Sequence, residues 1–199
     1  IAFANNAQNG SSGYAVYPSE LLAGSDLFLD RNTSGNLNPS DGSNAALTLI
    51  HEIGHALGLK HPFAGSGDAA FLSAAEDSTT WTVMSYTSSS DQYHLNFSPL
   101  DLAALHYLYG PSSSARAGND TYLVSAATSN FIWDGTGADT LSAQGLVQAV
   151  TLYLEPGYWG YIGNKSTLIT AAGQVTVNFG SAIENLIGGS GDDALYGNA

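Results

Sequence analysis

Short apolar runs between turn residues open the chain. Ile1 and Phe3 alternate with alanines over 1–4, Tyr-Ala-Val-Tyr over 14–17 lies between Gly13 and Pro18, and Leu27, Phe28 and Leu29 sit between Asp26 and Asp30. This pattern predicts three strands, the last ended by the turn-rich stretch 31–43. The period then changes. Ser43 reads as an N-cap, and 45–57 as a helix ending near Gly58, with apolar residues at Leu47, Ile50, Ala56 and Leu57 and histidines on another face. Residues 62–80 form a long Gly/Ala/Ser loop and 81–86 a tight apolar turn. Pro99, at the first helical position after Ser98, opens a second helix that stops at Gly110-Pro111. After a linker at 111–118, further strands are predicted at 121–124, 130–133, 149–154 and 175–179, separated by Gly and Asp/Asn turns. The expected class is α+β: a mixed part over 1–110 followed by an all-β part over 111–199.

Composition narrows the chemistry. The 199 residues include no cysteine, so disulfides, iron–sulfur clusters and thiolate zinc sites are excluded. Four Lys+Arg against 17 Asp+Glu give a formal net charge of −13, which leaves no basic footprint for nucleic acid or an anionic membrane. No apolar stretch is long enough to insert into a membrane. The acidic excess fits either bound calcium or plain acidic solubility. The start directly on a strand and the abrupt end at Ala199 suggest a piece of a longer protein.

One constellation carries specific chemistry. His51 and His55 are four apart on the predicted helix, so both imidazoles can reach one metal ion on the same face. Gly58 can take the left-handed conformation that ends the helix sharply, and His61 can then return as the third ligand. Glu52 stands next to the first ligand, where a carboxylate can act as general base toward a water polarised by zinc, and then as acid. His94 lies in a loop with no assigned role, and His106 reads as a helix-surface residue.

The long zinc motif from His51 to His61 resembles that of the metzincin clan, and Pro62 directly after it resembles the serralysin family. Val83-Met84-Ser85-Tyr86 looks like a Met-turn, and Glu76-Asp77 and residues 99–110 also look like serralysin segments. The resemblance implies a metzincin catalytic domain over 1–110, with a mixed twisted sheet, an active-site helix and a C-terminal helix. Met84 would be the floor under the zinc site. Tyr86 would be a further zinc ligand that swings away to stabilise the oxyanion. The strand at 26–30 would be the cleft edge, available to pair with an extended substrate.

The second part carries oxygen-rich turns. Residues 188–196 match one GGxGxDxUx nonapeptide of a calcium-binding β-roll, with Asp192 and Asp193 in it. The turns at 116–120 and 134–139, including Thr136 and Gly137, offer carboxylates and carbonyls near glycines. By resemblance, Arg116 and Gly118 would bind calcium through carbonyls, and Asp120, Asp134, Asp139 and Glu184 through side chains. The resemblance thus implies a β-roll or sandwich part over 111–199 and a secreted, extracellular bacterial zinc endopeptidase, including a cell-surface variant. Its partners would be protein or peptide substrates and a propeptide or proteinaceous inhibitor. The rival reading is a calcium-dependent surface or interaction module on the same fold. The family's N-terminal helix and strand and its further tandem repeats do not fall within these residues, and Thr87 replaces the aromatic that often follows Tyr86.

Overall fold

The computed structural model describes residues 1–63, 71–89 and 93–198. They form two compact units, Ile1–Ala104 and Leu105–Ala199. The loop expected at 62–80 and the one that holds His94 therefore fall partly outside the described residues.

In the first unit, β1 (Phe3–Asn6), β2 (Gly13–Ala15) and β3 (Leu27–Asp30) form a sheet in the order β1-β3-β2. β1 pairs parallel to β3 and β2 pairs antiparallel to it. Helix α1 (Asn44–Ala56) begins as expected: the Ser43 hydroxyl accepts the Ala46 N–H at 3.1 Å. Its burial runs further round than one apolar stripe. Ala45, Ala46, Ile50 and Ala56 are buried, and so are His51, Glu52, Gly54 and His55. Helix α2 (Pro99–Tyr109) starts at the expected proline, and the division between units falls within it. Asp101 in its first turn accepts the Ser98 N–H at 3.0 Å, which is one half of a capping box.

The second unit is all β beyond α2. Its strands are β4 (Thr121–Leu123), β5 (Asn130–Ile132), β6 (Thr140–Ser142), β7 (Val150–Tyr153), β8 (Gly160–Ile162), β9 (Gln174–Val177), β10 (Asn185–Ile187) and β11 (Ala194–Tyr196). One sheet, β10-β6-β4, is wholly parallel and stacks Tyr122, Leu141 and Leu186 in register. The other runs β11-β7-β8-β9-β5, with parallel outer pairs and antiparallel inner ones. Leu141 from the first sheet and Val150, Leu152, Ile162, Val175 and Val177 from the second share one buried core. At the order of 25 cal/mol per Å² of apolar area removed from water, that shared core is what holds such short strands together.

The structure corrects two expectations. Strand 26–30 is not an edge: β3 is hydrogen-bonded on both sides, by β1 and by β2, so its backbone has no groups left for a third strand. His106 is not a surface residue. It is buried, its ring meets Trp133 at 5.1 Å, and its Nδ1 lies 3.2 Å from Asn178 Nδ2.

Candidate active site

The end of α1 makes the site. Gly58 has φ +99°, its N–H donates to His55 O at 2.9 Å, and the Leu59 N–H donates to Gly54 O at 2.9 Å. This is a Schellman ending, and it turns the chain back so that His61 faces the helix. His61 Nε2 comes to 3.2 Å from His51 Nε2 and 3.1 Å from His55 Nε2. Three nitrogens each about 2.0–2.1 Å from one ion in tetrahedral array stand about 3.3 Å apart, so this spacing fits zinc.

The protonation pattern fits as well. His51 Nδ1–H donates to Val83 O at 2.8 Å and His55 Nδ1–H to Leu59 O at 2.9 Å. A carbonyl only accepts, so each Nδ1 carries the proton and each Nε2 keeps its lone pair for a metal. Burial pushes His51 down to about 4, with His55 and His61 adding in the same direction, and burial lowers His55 and His61 as well. All three rings are therefore neutral donors at neutral pH.

Glu52 is 6% exposed, and its Oε2 is buried without a partner. Burial raises its carboxyl to about 7, the range suited to a group that must both take and return a proton near neutrality. Tyr86 stacks on His51 at 5.7 Å between centroids and tilts over His61 at 4.7 Å. Met84 is buried beneath the helix, with its Sδ 2.5 Å from where a Cβ on Gly54 would stand. Behind this turn, Asp101 accepts from Thr82 Oγ1 at 2.6 Å and from the Val83 N–H at 2.7 Å. It thereby fixes the same residue whose carbonyl orients His51. His94 sits apart from the site, paired with Asp41 at 3.0 Å.

Three participants had no prominent sequence signal. Gly54 must lack a side chain so that Met84 can approach. Gly13 on β2 must do so because its Cβ would stand 2.9 Å from Glu52 Cγ. Tyr17 packs edge-on against His55 at 5.3 Å. Burial raises the Tyr17 phenol, and Tyr86 and Glu52 push it in the same direction. The edge of the cleft is β2. The bonds from Asp30 N to Ser12 O and from Val16 N to Asp26 O set the alternation, so the backbone groups of Gly13 and Ala15 point away from β3.

In the second unit the predicted calcium residues converge in part. Carboxylate oxygens of Asp120, Asp134 and Asp139 lie within 4.8 Å of one another. Asp134 and Asp139 are fully buried, and Asp134 Oδ1 and Asp139 Oδ2 have no partner. The Gly118 carbonyl comes so close that a Cβ on Gly137 would meet it at 1.8 Å, and the Asp139 oxygens at 2.9 Å. A Cβ on Gly135 would meet Ala115 O at 2.1 Å and Ser112 O at 2.4 Å, so this turn too packs tightly against backbone. Arg116 has φ +52°, and its guanidinium lies 3.9 Å from the Trp133 ring centroid. Thr136 donates its hydroxyl to Ser113 O at 3.1 Å. Tyr122 donates its hydroxyl to Asp134. Glu184 stands outside the carboxylate cluster, with Oε2 accepting the Asp139 N–H at 2.7 Å. Buried anions without counter-charge fit a hard cation with oxygen ligands.

Residues 27–114 match the family described as "Metallo-peptidase family M12B Reprolysin-like", and residues 100–199 match "Peptidase M10 serralysin C terminal". The chain is similar to a "Serralysin" of Proteus mirabilis, 36% identical over 222 residues, which covers 96% of this chain and 44% of that protein. It is 32% identical to "Serralysin C" of Dickeya chrysanthemi, covering 94% and 43% of the two chains. It is also 32% identical to "Metalloprotease AprA" of Pseudomonas entomophila (strain L48), covering 100% and 47%. The chain thus spans less than half the length of these relatives.

Proposed function

The chain belongs to the serralysin family, and on that premise we propose that it is a zinc endopeptidase that hydrolyses peptide bonds of protein or peptide substrates. The observation that carries the reading is the convergence of three neutral Nε2 donors beside a buried carboxylate with an unpartnered oxygen. His51, His55 and His61 would hold the ion. Zinc bound there would supply Lewis acidity, polarising the scissile carbonyl and lowering the pKa of the attacking water to about 7.

The protein's own residues do the rest. Gly13 and Ala15 offer their outward backbone groups to an extended substrate as an added strand. This replaces the role first expected of 26–30. Glu52 takes the proton of the attacking water and returns it to the leaving amine. Tyr86 donates its phenol to the developing oxyanion. Met84 and Asp101 keep the turn under the site in register. The test compares proteolysis of unfolded protein by wild type and Glu52→Ala, with zinc content measured in both. Activity should fall by about 10²–10⁴-fold at unchanged zinc. Equal turnover in the two would overturn this mechanism.

In the same reading, Asp120, Asp134 and Asp139 hold calcium together with the Gly118 carbonyl, and Glu184 steadies Asp139 through its backbone. Arg116, Thr136 and Gly137 belong to the surrounding turns. The part over 111–199 is the start of a β-roll, and the enzyme acts outside the cell. No helix among the described residues is long and apolar enough to cross a membrane. Fractionation of producing cells checks location: protein confined to the cell interior would count against it. A pure binding module has no use for a buried base beside a metal cage, so that alternative is not favoured.

A further inference from the structure

We propose that Phe63 is a positioning residue for the metal: its ring, stacked on His61, holds the third zinc ligand in place of the hydrogen bond that orients each of the other two. The inference rests on the zinc reading of the three histidines and deepens it.

The three ligands are not held alike. His51 and His55 are buried, and each ring is tied through Nδ1 to a backbone carbonyl. His61 is half-buried, and its Nδ1 makes no hydrogen bond among the described residues. A ligand histidine almost always donates its second ring nitrogen to such a partner, which fixes the orientation of the ring.

Aromatic rings take over that task at His61. The Phe63 ring lies nearly parallel to the imidazole, with 5.0 Å between centroids and an interplanar angle of 9°. Tyr86 tilts against both rings, 4.7 Å from His61 and 5.0 Å from Phe63. Rotation of the imidazole away from His51 and His55 breaks this stack. Phe63 reaches its place because it follows His61 by two residues, with Pro62 fixing φ between them. Pro62 is buried and its carbonyl accepts the Leu72 N–H at 3.0 Å, so the segment that presents both rings is itself pinned.

The stack also responds to the ion. An imidazole that gives its lone pair to a dication becomes electron-poor, and the electron-rich face of a phenyl ring attracts it more strongly than it attracts the free ring. Phe63 therefore favours the metal-bound position of His61. An aliphatic side chain of similar bulk would not discriminate.

The test loads the whole chain with zinc and compares Phe63→Leu, Phe63→Ala and Phe63→Tyr with wild type. Zinc affinity is read by competition with a chromophoric chelator, and the histidine rings by NMR of isotope-labelled imidazoles. Phe63→Leu keeps bulk without the ring face and should bind zinc about two- to tenfold more weakly, the range one aromatic pair supplies. Phe63→Ala frees the imidazole and should lose about ten- to a hundredfold. Phe63→Tyr restores the face and should stay within about twofold of wild type. In the Leu variant the His61 signals should broaden while those of His51 and His55 hold. Wild-type zinc affinity in Phe63→Leu overturns the inference. So does a change shared by all three histidines that follows a fall in the stability of the metal-free chain, since that marks packing alone. A wild-type chain that takes up no zinc at these histidines overturns the zinc reading and the inference with it. Zinc uptake without proteolysis overturns only the proteolytic reading, and the affinity series still decides the role of Phe63.

Discussion

The two candidate metal centres are built on opposite principles. The histidine cage in Ile1–Ala104 arises within one helix and the turn after it, from neutral donors, with the tautomers of His51 and His55 locked by the Val83 and Leu59 carbonyls. The acidic cluster in Leu105–Ala199 gathers charged donors from separate turns and leaves two buried carboxylate oxygens unpartnered. Neutral donors can be preorganised without an ion at little cost. Converging anions repel and need the ion to compensate them. The first centre should therefore be a site that the fold presents, and the second a site on which the fold depends.

The largest expected effect tests this dependence. Withdrawing calcium with a calcium-selective chelator should lower the stability of residues 105–199 by about 2.7 kcal/mol if the ion was held at a hundredfold its dissociation constant. Hydrogen exchange would rise there while zinc content stays constant. An unchanged exchange pattern would count against the contrast. The sign with pH sharpens it. Burial holds the Asp134 carboxyl above its usual range, and Asp139 and Asp120 push it the same way. In the calcium-free chain that contribution is full below the ordinary carboxylate value of about 3.9 and is lost as pH rises through the raised pKa. Calcium-free protein should therefore lose thermal stability on going up in pH from that range, and calcium should remove the trend.

Gly54→Ala probes the other centre next. Its Cβ would stand 2.5 Å from Met84 Sδ, so Met84 must shift. The expected loss is about 1–3 kcal/mol of stability, with weaker zinc binding. Calorimetry and zinc titration read both, and an unaltered zinc affinity would mean that Met84 is no floor. Asp101→Asn turns one acceptor oxygen into a donor facing Thr82, Val83 or Ser98, and should cost about 1–3 kcal/mol in a denaturant titration. The smallest effect is expected from Tyr17→Ala. It removes one edge-on contact with His55, of about 0.5–1.5 kcal/mol, and should weaken zinc binding by no more than about tenfold.

Legibility followed sequence distance. The caps at Ser43 and Pro99 and the helices they start lie where the pattern predicts. The strands at β6, β8 and β10 escaped detection. Each has three residues between glycine or polar turns, and only the shared core makes them strands. His106 looked exposed because a single helix does not reveal that Trp133 and Asn178 will cover it.

By itself the sequence determined the histidine cage. Helical spacing places His51 beside His55, and a left-handed glycine three residues before His61 returns the chain, all within reach of local backbone geometry. Tertiary structure alone decided that β2 rather than β3 is the free edge, that Gly54 and Gly13 must be bare, and which acidic turns converge. Those outcomes depend on which distant segments meet. An Asp/Gly turn carries the same local signal whether or not a second turn closes against it.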